Sequence, residues 1–423
     1  MNSVLIITYY WPPGAGAGVQ RWLKFSKYLP DFGWEPLILT VDPQYAQYPA
    51  TDESLLKDVS EKSKVFKTPA VNYFRLASKD KSRIPSAGFA NQDKKGPVQW
   101  LMRFIRGNFF IPDPRKGWNR FAFKKACEII NNENVERIIT SGPPHSTHLV
   151  GLKLKKKFPD ILWIADFRDP WTDIYYYKEF YHTFPARLLD RHYEKTVLTN
   201  ADKIITVGET LKKILSSKAT GICDKTFVLA NGYDEDDFKG IQPVEPDIFT
   251  ITYTGTLSQA YPLTGFAEAV KKLTDSGITL RLRFVGTVSP EQKKLILSYV
   301  PENIIEFIAY ASHPEAIQYM VSSSALLLII PDHKSNKSIV TGKLFEYLAS
   351  GRPVVLIGPK DGDAAEIVGR TGGGLIAGYD ANDIEKAILQ LIKNKLCPTK
   401  EKTILFSRKK LAGEIANILN KMY

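Results

Sequence analysis

The chain has 423 residues, of which 44% are hydrophobic, so it is long enough for two ordinary domains and too apolar for a disordered protein. Three widely spaced cysteines give neither a disulfide framework nor a zinc-binding pattern, and neither a signal peptide nor an apolar run of the ~20 residues that span a bilayer is seen, so we expect a cytoplasmic protein. The net charge of +12 resides in residues 61–125, where 16 Lys and Arg accompany 4 acidic residues.

Short apolar, β-branched runs alternate with helical patterns along the whole chain. The predicted strands of the first half are residues 3–10, 34–41, 136–142, 162–169, 203–208 and 226–232. Those of the second half are residues 249–255, 280–286, 305–310, 325–330, 353–358 and 373–378. Continuous apolar strands separated by helices are typical of parallel sheets that are covered on both faces. The predicted fold class is therefore α/β, with two doubly wound, Rossmann-like domains that face each other across a cleft.

The stretch GIQPVEPD, residues 240–247, interrupts this alternation and predicts a hinge. We therefore place an N-terminal domain at residues 1–243 and a C-terminal domain at residues 244–405. Residues 406–423 are predicted to form a last helix, which can pack back on either half, with the N-terminal domain as our choice. Residues 76–97 combine charge with Gly, Ser and Pro and are predicted to form a loop.

The loop after the first strand, WPPGAGAGVQRW, carries glycines at positions 14, 16 and 18. Such glycines let the backbone approach a ligand, and the next helix begins with free N–H groups that suit a phosphate. A tight strand-to-helix connection without a ligand would explain the same glycines. We do not expect a nicotinamide cofactor, because Arg21 breaks the G-x-G-x-x-G spacing and Asp42 follows the second strand only ahead of a proline.

Residues 98–120 interleave basic and aromatic side chains at helical spacing. This pattern suits an anionic membrane surface or an anionic acceptor, and it equally fits a solvated helix and loop at the rim of an active site. Nucleic acid is not expected as a partner, because no nucleic-acid-binding motif accompanies the charge.

Polar residues follow two later strands of the N-terminal half. His145 lies at a loop-to-helix junction and is either a catalytic residue or a packing histidine. Asp166, Arg168 and Asp169 end an apolar strand, where burial of a charge costs energy unless the charge is paired or binds a polar ligand. Arg168 and Asp169 are therefore catalytic or acceptor-binding candidates, with Asp169 as base or hydroxyl acceptor, or else a structural ion pair. His145 and His148 have no third ligand of suitable spacing, so no metal site is predicted.

The stretch TGKLFEYLASGRPVV, residues 341–355, predicts a short helix with Lys343 and Glu346 together on its outer side. At the helix N-terminus, formed by Thr341 and Gly342, free N–H groups can hold a diphosphate and Lys343 adds positive charge. Glu346 can then accept both hydroxyl groups of a ribose. Alternatively, Glu346 merely stabilises the helix dipole as a first-turn acid, an effect of ~0.3–1 kcal/mol.

The sequence KLFEYLASGRPVV, with Glu366 and TGGGLIAGYD after it, resembles the nucleotide-sugar motif of family 4 glycosyltransferases with the GT-B fold, of the bacterial surface-polysaccharide type. The resemblance covers nearly the whole chain. The segments YYWPPGAGAGVQRW, ADFRDPW, NGYD and YTGTLS resemble that family's first Gly-rich loop, acceptor-side strand end, hinge turn and first donor-domain strand. It implies a hexosyltransferase-type enzyme that transfers a sugar with retained configuration and without a metal.

The resemblance also implies substrates and site residues. The donor would be a UDP- or GDP-type nucleotide sugar, no further cofactor is needed, and the acceptor would be lipid-linked or a glycan at the inner membrane surface, approached through residues 98–120. Glu346 would hold the ribose, the backbone near Gly342 and Lys343 would contact the diphosphate, and Gly16 would close over the donor. The donor-binding candidates are Gly16, Gly255, Ser338, Thr341, Gly342, Lys343 and Glu346.

Two positions depart from the family pattern. Ser338 replaces the first acid of the family's E-x7-E pair, which affects the contact to the sugar hydroxyls. The basic residues that usually follow the first donor-domain strand are missing, and Lys334, Lys337 or Lys343 would have to supply that charge. Two other functions fit the sequence: a GT-B nucleotide-sugar epimerase or hydrolase, and a non-catalytic, membrane-associated protein of the same fold.

Overall fold

The structure, a computed structural model, describes residues 2–48, 50–71, 96–309, 311–394 and 396–422. The predicted loop at 76–97 lies almost entirely outside the described residues. The chain divides into two compact units, Met1–Ala230 with Leu411–Tyr423, and Asn231–Lys410. Each unit contains a parallel sheet, of seven and six strands respectively. The predicted class, α/β with two Rossmann-like domains, is confirmed, and a cleft between them stays a prediction.

The division after Ala230 lies upstream of the predicted hinge near residue 243. Residues after Ala230 belong to the C-terminal unit because Tyr233 forms a parallel bridge with Ser407 of that unit. The backbone N–H of Tyr233 donates to Phe406 O at 3.1 Å, and that of Arg408 donates to Tyr233 O at 2.8 Å. The turn NGYD therefore belongs to the C-terminal unit.

The N-terminal unit is built on a seven-stranded sheet with the order β3-β2-β1-β4-β5-β6-β7. Its strands are β1 Asn2–Thr8, β2 Trp34–Val41, β3 Lys64–Thr68, β4 Arg137–Gly142, β5 Leu162–Phe167, β6 Lys203–Thr206 and β7 Thr226–Val228. Its helices are α1 Ala17–Tyr28, α2 Pro97–Phe109, α3 Asn119–Asn132, α4 Ser146–Lys157, α5 Phe184–Asn200 and α6 Glu209–Ser216. The central strand β1 pairs in parallel with both neighbours, so that Ile6 lies opposite Ile38 and Ile139.

Alternate side chains of the central strands cover the two faces of this sheet. Leu5 and Ile7 join one core cluster, with α3 to α6, whereas Val4 and Ile6 join the other, with α1. The final helix, α14 Arg408–Asn420, also contributes to the second cluster, and Trp34 Nε1 donates to Asn420 Oδ1 at 3.2 Å. The last residues of the chain therefore pack within the N-terminal unit.

The C-terminal unit is built on a six-stranded sheet with the order β10-β9-β8-β11-β12-β13. Its strands are β8 Phe249–Thr254, β9 Leu280–Val285, β10 Ile305–Ile308, β11 Ala325–Ile329, β12 Val354–Ile357 and β13 Gly374–Ala377. Its helices are α7 Thr264–Asp275, α8 Pro290–Tyr299, α9 His313–Val321, α10 Gly342–Ala349, α11 Asp363–Thr371, α12 Ala381–Lys393 and α13 Lys400–Thr403. All of the strands predicted for both halves are present, and β3 alone was not predicted. It is short, contains Lys64 and Lys67 and lies at the sheet edge, so it lacks the apolar run of a central strand.

A buried ion pair fixes α1 against the carboxyl ends of the central strands. The side chains of Arg21 and Asp166 are both fully buried, with Nη2 and Oδ1 3.0 Å apart. Arg21 Nη1 also donates to the carbonyl oxygens of residues 229 and 230, each at 3.0 Å. Asp166 Oδ2 accepts from Trp22 Nε1 at 2.7 Å and from Ser141 Oγ at 2.9 Å. Asp166 is therefore a structural residue whose oxygens are already satisfied.

We expect Arg21→Met to destabilise the N-terminal unit by ~3–5 kcal/mol, because it leaves the Asp166 carboxylate buried without its counter-charge. All seven tryptophans lie within the first 171 residues, so the tryptophan fluorescence of a urea titration reports on this unit. The control is Lys125→Met, which removes an exposed ion pair with Glu128 and should cost less than ~1 kcal/mol. Equal effects of the two substitutions would contradict the structural role of the buried pair.

Candidate functional site

Helix α10 packs on the end of strand β8 in the C-terminal unit. The Tyr347 hydroxyl accepts a hydrogen bond from the backbone N–H of Thr254, the last residue of β8, at 2.9 Å. The buried side chains of α10 are Leu344, Phe345, Tyr347 and Leu348. The predicted helix is therefore present, and within its core face the Phe345 ring lies 5.3 Å from that of Phe406. This packing sets the position of the polar residues on the other side of α10.

Lys343 is held at the carboxyl end of β8 by an aromatic residue that the sequence analysis did not single out. Its Nζ donates to Tyr253 Oη at 2.9 Å and lies 4.2 Å from the centroid of the Tyr253 ring. Burial lowers the pKa of the half-buried Lys343 to about 8, while the charge of Glu346 acts in the opposite direction. Lys343 is thus a cation whose proton is held less tightly than that of an ordinary lysine.

The loops after β8 and β9 form a wall of backbone beside Lys343. Gly255 has φ 98°, and a Cβ built on it would lie 3.2 Å from Lys343 Nζ. Gly286 has φ 120°, and a Cβ there would lie 2.5 Å from Gly255 O. Only glycine fits such a close approach of two loops. The predicted donor-binding residue Gly255 is therefore next to Lys343, although the two are far apart in sequence.

Glu346 lies on α10 one helical turn after its N-terminal residue. No acidic residue occurs in the first turn of α10, so the alternative that Glu346 is a dipole-stabilising first-turn acid is wrong. Its side chain is half-buried, and in the described part of the chain its carboxylate has no hydrogen-bond partner. Burial raises the pKa of Glu346, and the nearby charges of His313 and Arg408 lower it. A carboxylate in such surroundings needs donors from elsewhere.

The charged neighbours of Glu346 come from three distant segments. His313 is the first residue of α9, and its Nε2 lies 3.1 Å from Asp237 Oδ2. Arg408 is the first residue of α14 and is buried. Asp234 caps the following 3-10 turn by accepting from Asp236 N at 3.2 Å. No local motif joins positions 237, 313 and 408, so sequence reasoning could not group them with Glu346.

The N-terminus of α10 is not capped by a side chain. Thr341 is the N-cap residue, but its side chain makes no capping hydrogen bond. Its Oγ1 is buried and has no hydrogen-bond partner among the residues that the structure describes. Ser338 ends the preceding 3-10 turn and donates from Oγ to Ser335 O at 3.3 Å. Free N–H groups, an unpaired hydroxyl and the ammonium of Lys343 together make a site suited to an anion.

Arg168 is bound to backbone and not to Asp169. Its Nε donates to Gly142 O at 3.2 Å and its Nη2 to Pro143 O at 2.5 Å. A Cβ on Gly18 would lie 2.9 Å from Arg168 Nη1, which explains the third glycine of the first loop. Within the described residues no ion-pair contact joins Arg168 to Asp169, which is exposed. The two charges still interact, because burial raises the pKa of Asp169 and the charge of Arg168 lowers it, so a structural pairing of the two stays a prediction.

His145 combines a packing contact with an unsatisfied nitrogen. It is the N-cap residue of α4, and its ring stacks on Trp171 with centroids 4.9 Å apart. Burial holds the pKa of His145 well below its usual value, so the ring is neutral at pH 7. Its Nδ1 is buried without a hydrogen-bond partner in the described chain. His148 stacks on Phe167 at 4.4 Å, and burial lowers its pKa to about 3, which indicates a structural role.

The predicted site residues therefore fall into two groups, one in each unit. The C-terminal group consists of Ser338 in the 3-10 turn before α10, Thr341, Gly342, Lys343 and Glu346 at the start of α10, and Gly255 beside Lys343. The N-terminal group follows β1, β4 and β5 and consists of Gly16, His145, Arg168 and Asp169. Gly16 is the N-cap residue of α1, with φ 100°. In the described part of the chain, no group of three or more His, Cys, Asp or Glu residues is placed to hold a metal ion.

Residues 248–394 match the protein family described as Glycosyl transferases group 1. The matched segment contains all of the C-terminal group, from Gly255 to Glu346. No curated protein matches the chain. The C-terminal unit thus carries a glycosyltransferase group 1 domain.

Solved structures share the fold over nearly the whole chain. Sucrose-phosphate synthase from Thermosynechococcus elongatus has 15% identity and a TM-score of 0.64, covering 100% of this chain and 99% of that one. The lipopolysaccharide outer core galactosyltransferase WaaB has 12% identity and a TM-score of 0.60, covering 99% and 100%. Anabaena Alr3699/HepE, in complex with UDP and glucose, has 14% identity and a TM-score of 0.55, covering 99% and 95%. At these identities the similarity shows the fold.

We expect Lys343 to titrate near pH 8, about two units below an ordinary lysine, because burial disfavours its charged form. The measurement is an NMR titration of the ε-carbon signals of carbon-13-labelled lysine. Lys343→Arg identifies the signal by removing it and leaves a cation at the same place. If every lysine signal titrates above about pH 10, the burial of Lys343 is contradicted.

Proposed function

We propose that this protein is a retaining glycosyltransferase that transfers a hexose-type sugar from a UDP- or GDP-type nucleotide sugar to a lipid-linked or glycan acceptor in the synthesis of a cell-surface polysaccharide. One observation carries the proposal. The Lys343 ammonium and the uncapped start of α10 lie beside the Gly255 loop, and the Glu346 carboxylate, without a partner in the described chain, lies one turn further on.

The positive end of this arrangement fits the diphosphate. A departing nucleoside diphosphate gains negative charge as the bond to the sugar breaks, and positive groups fixed beforehand stabilise that charge best. Lys343, the N–H groups of residues 342 and 343 and the Thr341 hydroxyl are such groups. They supply the positive charge that a metal ion supplies in other transferases, so we propose a metal-independent reaction with no cofactor besides the donor.

The acidic end fits the ribose. Two neighbouring hydroxyl groups can donate to the two oxygens of one carboxylate, and hydrogen bonds to a charged group contribute about 1.5–3 kcal/mol each. Such donors would satisfy Glu346 and offset the effect of burial, which raises its pKa. The direction from Lys343 to Glu346 along α10 then follows the donor from diphosphate to nucleoside.

The two departures from the family pattern receive an explanation in the same region. Lys343 Nζ lies beside Gly255, in the loop after β8 where the family's basic residues are missing. Lys343 therefore supplies the missing charge from α10. Ser338 offers a neutral hydroxyl in place of a carboxylate, and we propose that it contacts the sugar without a charge.

In the N-terminal unit we propose that Asp169 accepts the proton or hydroxyl hydrogen bond of the acceptor, because it is exposed and unpaired among the described residues. Arg168 shapes this region through its backbone contacts near Pro143. His145 is neutral, so it would act as a hydrogen-bonding group and not as a cation. Gly16 remains a candidate for contact with the donor.

We expect Glu346→Gln to weaken the binding of UDP or GDP by about 10- to 100-fold, because charge-assisted hydrogen bonds to the ribose are lost. Isothermal titration calorimetry gives the affinity, and thermal unfolding checks that the fold is intact. The matched control is Glu291→Gln, since Glu291 is an exposed acid in the first turn of α8, in the same unit, and is not one of the predicted donor-binding residues. Its effect should stay within about twofold.

Unchanged nucleotide binding by the Glu346→Gln variant would contradict the proposed donor site. Assays of the unsubstituted protein also distinguish a glycosyltransferase from the two alternative functions. Turnover of the donor alone, at the rate seen with an acceptor, would favour an epimerase or hydrolase. Membrane binding without nucleotide binding would favour a non-catalytic protein.

Helix α2 exposes large apolar side chains next to basic ones. We call its exposed apolar residues the α2 surface: Val98, Trp100, Leu101, Met102, Ile105 and Phe109. Phe109 is 67% and Trp100 48% exposed, although water is a poor environment for both. We propose that the α2 surface enters the interface of an anionic inner membrane, to which nearby basic residues add about 1 kcal/mol each. No helix in the described part of the chain is long and apolar enough to span a bilayer.

We expect Trp100→Ser combined with Phe109→Ser to reduce flotation with phosphatidylglycerol-containing vesicles by at least about tenfold, because the two rings supply much of the buried apolar area. Neither ring is buried in the protein, so the fold should be retained. Leu297→Ser, which removes an exposed apolar residue of the C-terminal unit, is the control and should float as the parent does. Flotation that is indifferent to these substitutions would rule out the α2 surface as the contact.

A further inference from the structure

The N-terminal unit contains a pocket of about 830 Å³, its open mouth included. The donor-binding residues of the C-terminal unit do not line it. Its polar lining includes Arg106, Asp113, Arg115, His145, Tyr176 and His182. We propose that this pocket binds a phosphate or diphosphate ester through Arg106 and Arg115, and that this group belongs to the acceptor. The second half of the inference rests on the proposed transferase function, whereas the anion site itself does not.

Arg106 is held in place by the packing of α2. A Cβ on Gly107 would overlap the carbonyl oxygen of Phe180, so glycine lets α2 approach that segment. The Arg106 guanidinium lies over the Phe180 ring, 4.0 Å from its centroid. The backbone N–H of Thr183 donates to Asn108 Oδ1 at 2.7 Å, which ties the same two segments together. Arg106 is therefore preorganised at the pocket wall, and little side-chain freedom is lost when it binds a ligand.

Arg115 is the second cation of the pocket and is only 7% exposed. The nearby acid, Asp113, is already engaged by other donors. Its Oδ1 accepts from Arg115 N at 2.9 Å and from Ser146 Oγ at 2.8 Å, and its Oδ2 accepts from Ser146 N at 2.8 Å. Asp113 therefore offsets part of the positive charge of the two arginines, while its oxygens accept hydrogen bonds from the backbone N–H groups of Arg115 and Ser146. A guanidinium group carries five N–H donors, so Arg106 and Arg115 can each donate to a ligand in addition to the partners that they already have.

The other acid that lines the pocket is also engaged. Asp190 Oδ1 accepts from Trp171 Nε1 at 2.8 Å, and Oδ2 accepts from the Tyr177 hydroxyl at 2.9 Å. Burial raises the pKa of Asp190 to about 6, so its negative charge is held weakly. Burial, followed by the charge of Arg115, lowers the pKa of Arg106 to about 10. The charged form of Arg106, which burial and the charge of Arg115 both disfavour, therefore gains from an anion placed beside it.

The chemistry of the lining favours a phosphate over other anions. Two guanidinium groups match the double charge and several oxygens of a phosphate ester, whereas a carboxylate carries one charge. The ring of His145, which is neutral at pH 7, also lines the pocket. Trp171 and Phe180 give the lining an apolar part. The pocket thus suits a phosphate that carries a larger organic group.

The position of Arg106 on α2 links this pocket to the α2 surface. Arg106 follows Ile105 and precedes Phe109 by one helical turn, so the same helix offers a cation to the pocket and apolar rings to the outside. A lipid-linked acceptor has the matching layout, with a phosphate joined to an apolar chain. A soluble glycosyl phosphate shares the phosphate without the chain, and the experiment separates these two sources.

The test measures pyrophosphate binding by calorimetry in the full-length Lys343→Ala variant, which removes the main cation of the donor site. We expect this variant to keep a pyrophosphate site, and Arg106→Gln in the same background to weaken it at least about tenfold. Arg106→Lys should restore part of the affinity, because it keeps the charge and loses the fork geometry. Arg103→Gln is the matched control, from the previous turn of α2, and should change the affinity by less than about twofold.

Loss of all pyrophosphate binding in Lys343→Ala would overturn the pocket site and leave the proposed donor site standing. Equal weakening by Arg103→Gln and Arg106→Gln would also overturn it, because the binding would then come from diffuse surface charge. Conversely, a pocket that binds pyrophosphate while Glu346→Gln leaves nucleotide binding unchanged would support the anion site and refute the transferase proposal.

Competition against pyrophosphate in the same variant identifies the source of the phosphate. Displacement by a prenyl phosphate in phosphatidylcholine vesicles, and not by glucose 1-phosphate, supports a lipid-linked acceptor. Displacement by glucose 1-phosphate alone supports a soluble glycosyl phosphate. Stronger displacement by glucuronate than by either phosphate overturns the assignment to phosphate chemistry, and displacement by none of them overturns the acceptor role.

Discussion

The buried ion pair of Arg21 with Asp166 is the constraint on which the N-terminal unit depends. Arg21 belongs to α1, Asp166 ends β5, and the same guanidinium binds the carbonyl oxygens of residues 229 and 230, where this part of the chain leaves the unit. Burial of two charges costs several kcal/mol for each, and the added donors from Trp22 and Ser141 offset that cost. The position of the Gly-rich loop before α1 is therefore set by a charge pair as well as by its glycines. Because Arg168 is only two positions after Asp166, the same network also fixes the backbone position of this candidate residue.

The polar residues at the start of α10 differ from this ion pair in their hydrogen bonding. A structural network satisfies its own polar groups, whereas a binding site leaves some of them for a ligand. Around Asp166 each oxygen has donors. Around Glu346, by contrast, no hydrogen-bond partner is found in the described chain, and the buried Thr341 hydroxyl lacks one as well. Lys343 donates to the Tyr253 hydroxyl, and burial lowers its pKa. Residues with perturbed protonation and unused hydrogen-bonding capacity, gathered at the end of parallel strands, are typical of ligand sites. That contrast is the physical basis for the proposal that the donor binds at α10.

The sequence predicts what depends on local patterns and misses what depends on distant contacts. Apolar runs predict every central strand, because a strand buried on both faces must be apolar throughout, whereas the edge strand β3 carries lysines and shows no such run. The helix around Glu346 is likewise predicted from its periodicity. Its start at Gly342, which places Glu346 beyond the first turn, depends on packing against β8 and is not encoded in a capping motif. Tyr253 under Lys343 and Arg21 beside Asp166 were missed because each pair is separated by many residues, and no single sequence marks such a contact.

Residues 98–120 show why the charged and the apolar side chains of a segment must be considered together. An ordinary surface helix buries its apolar side chains and exposes its charged ones. Helix α2 departs from this order, since Trp100 and Phe109 are exposed while the cation of Arg106 is turned into a pocket with Arg115. Two features of this arrangement cost free energy in the isolated protein. The apolar rings of Trp100 and Phe109 are exposed to water, and the guanidinium groups in the pocket lose part of their hydration. A solvated active-site rim would explain basic and aromatic residues in the segment but not their reversed placement. The proposed membrane contact and the proposed anion in the pocket would remove both costs at once, and a ligand with a phosphate next to an apolar chain would satisfy both sites.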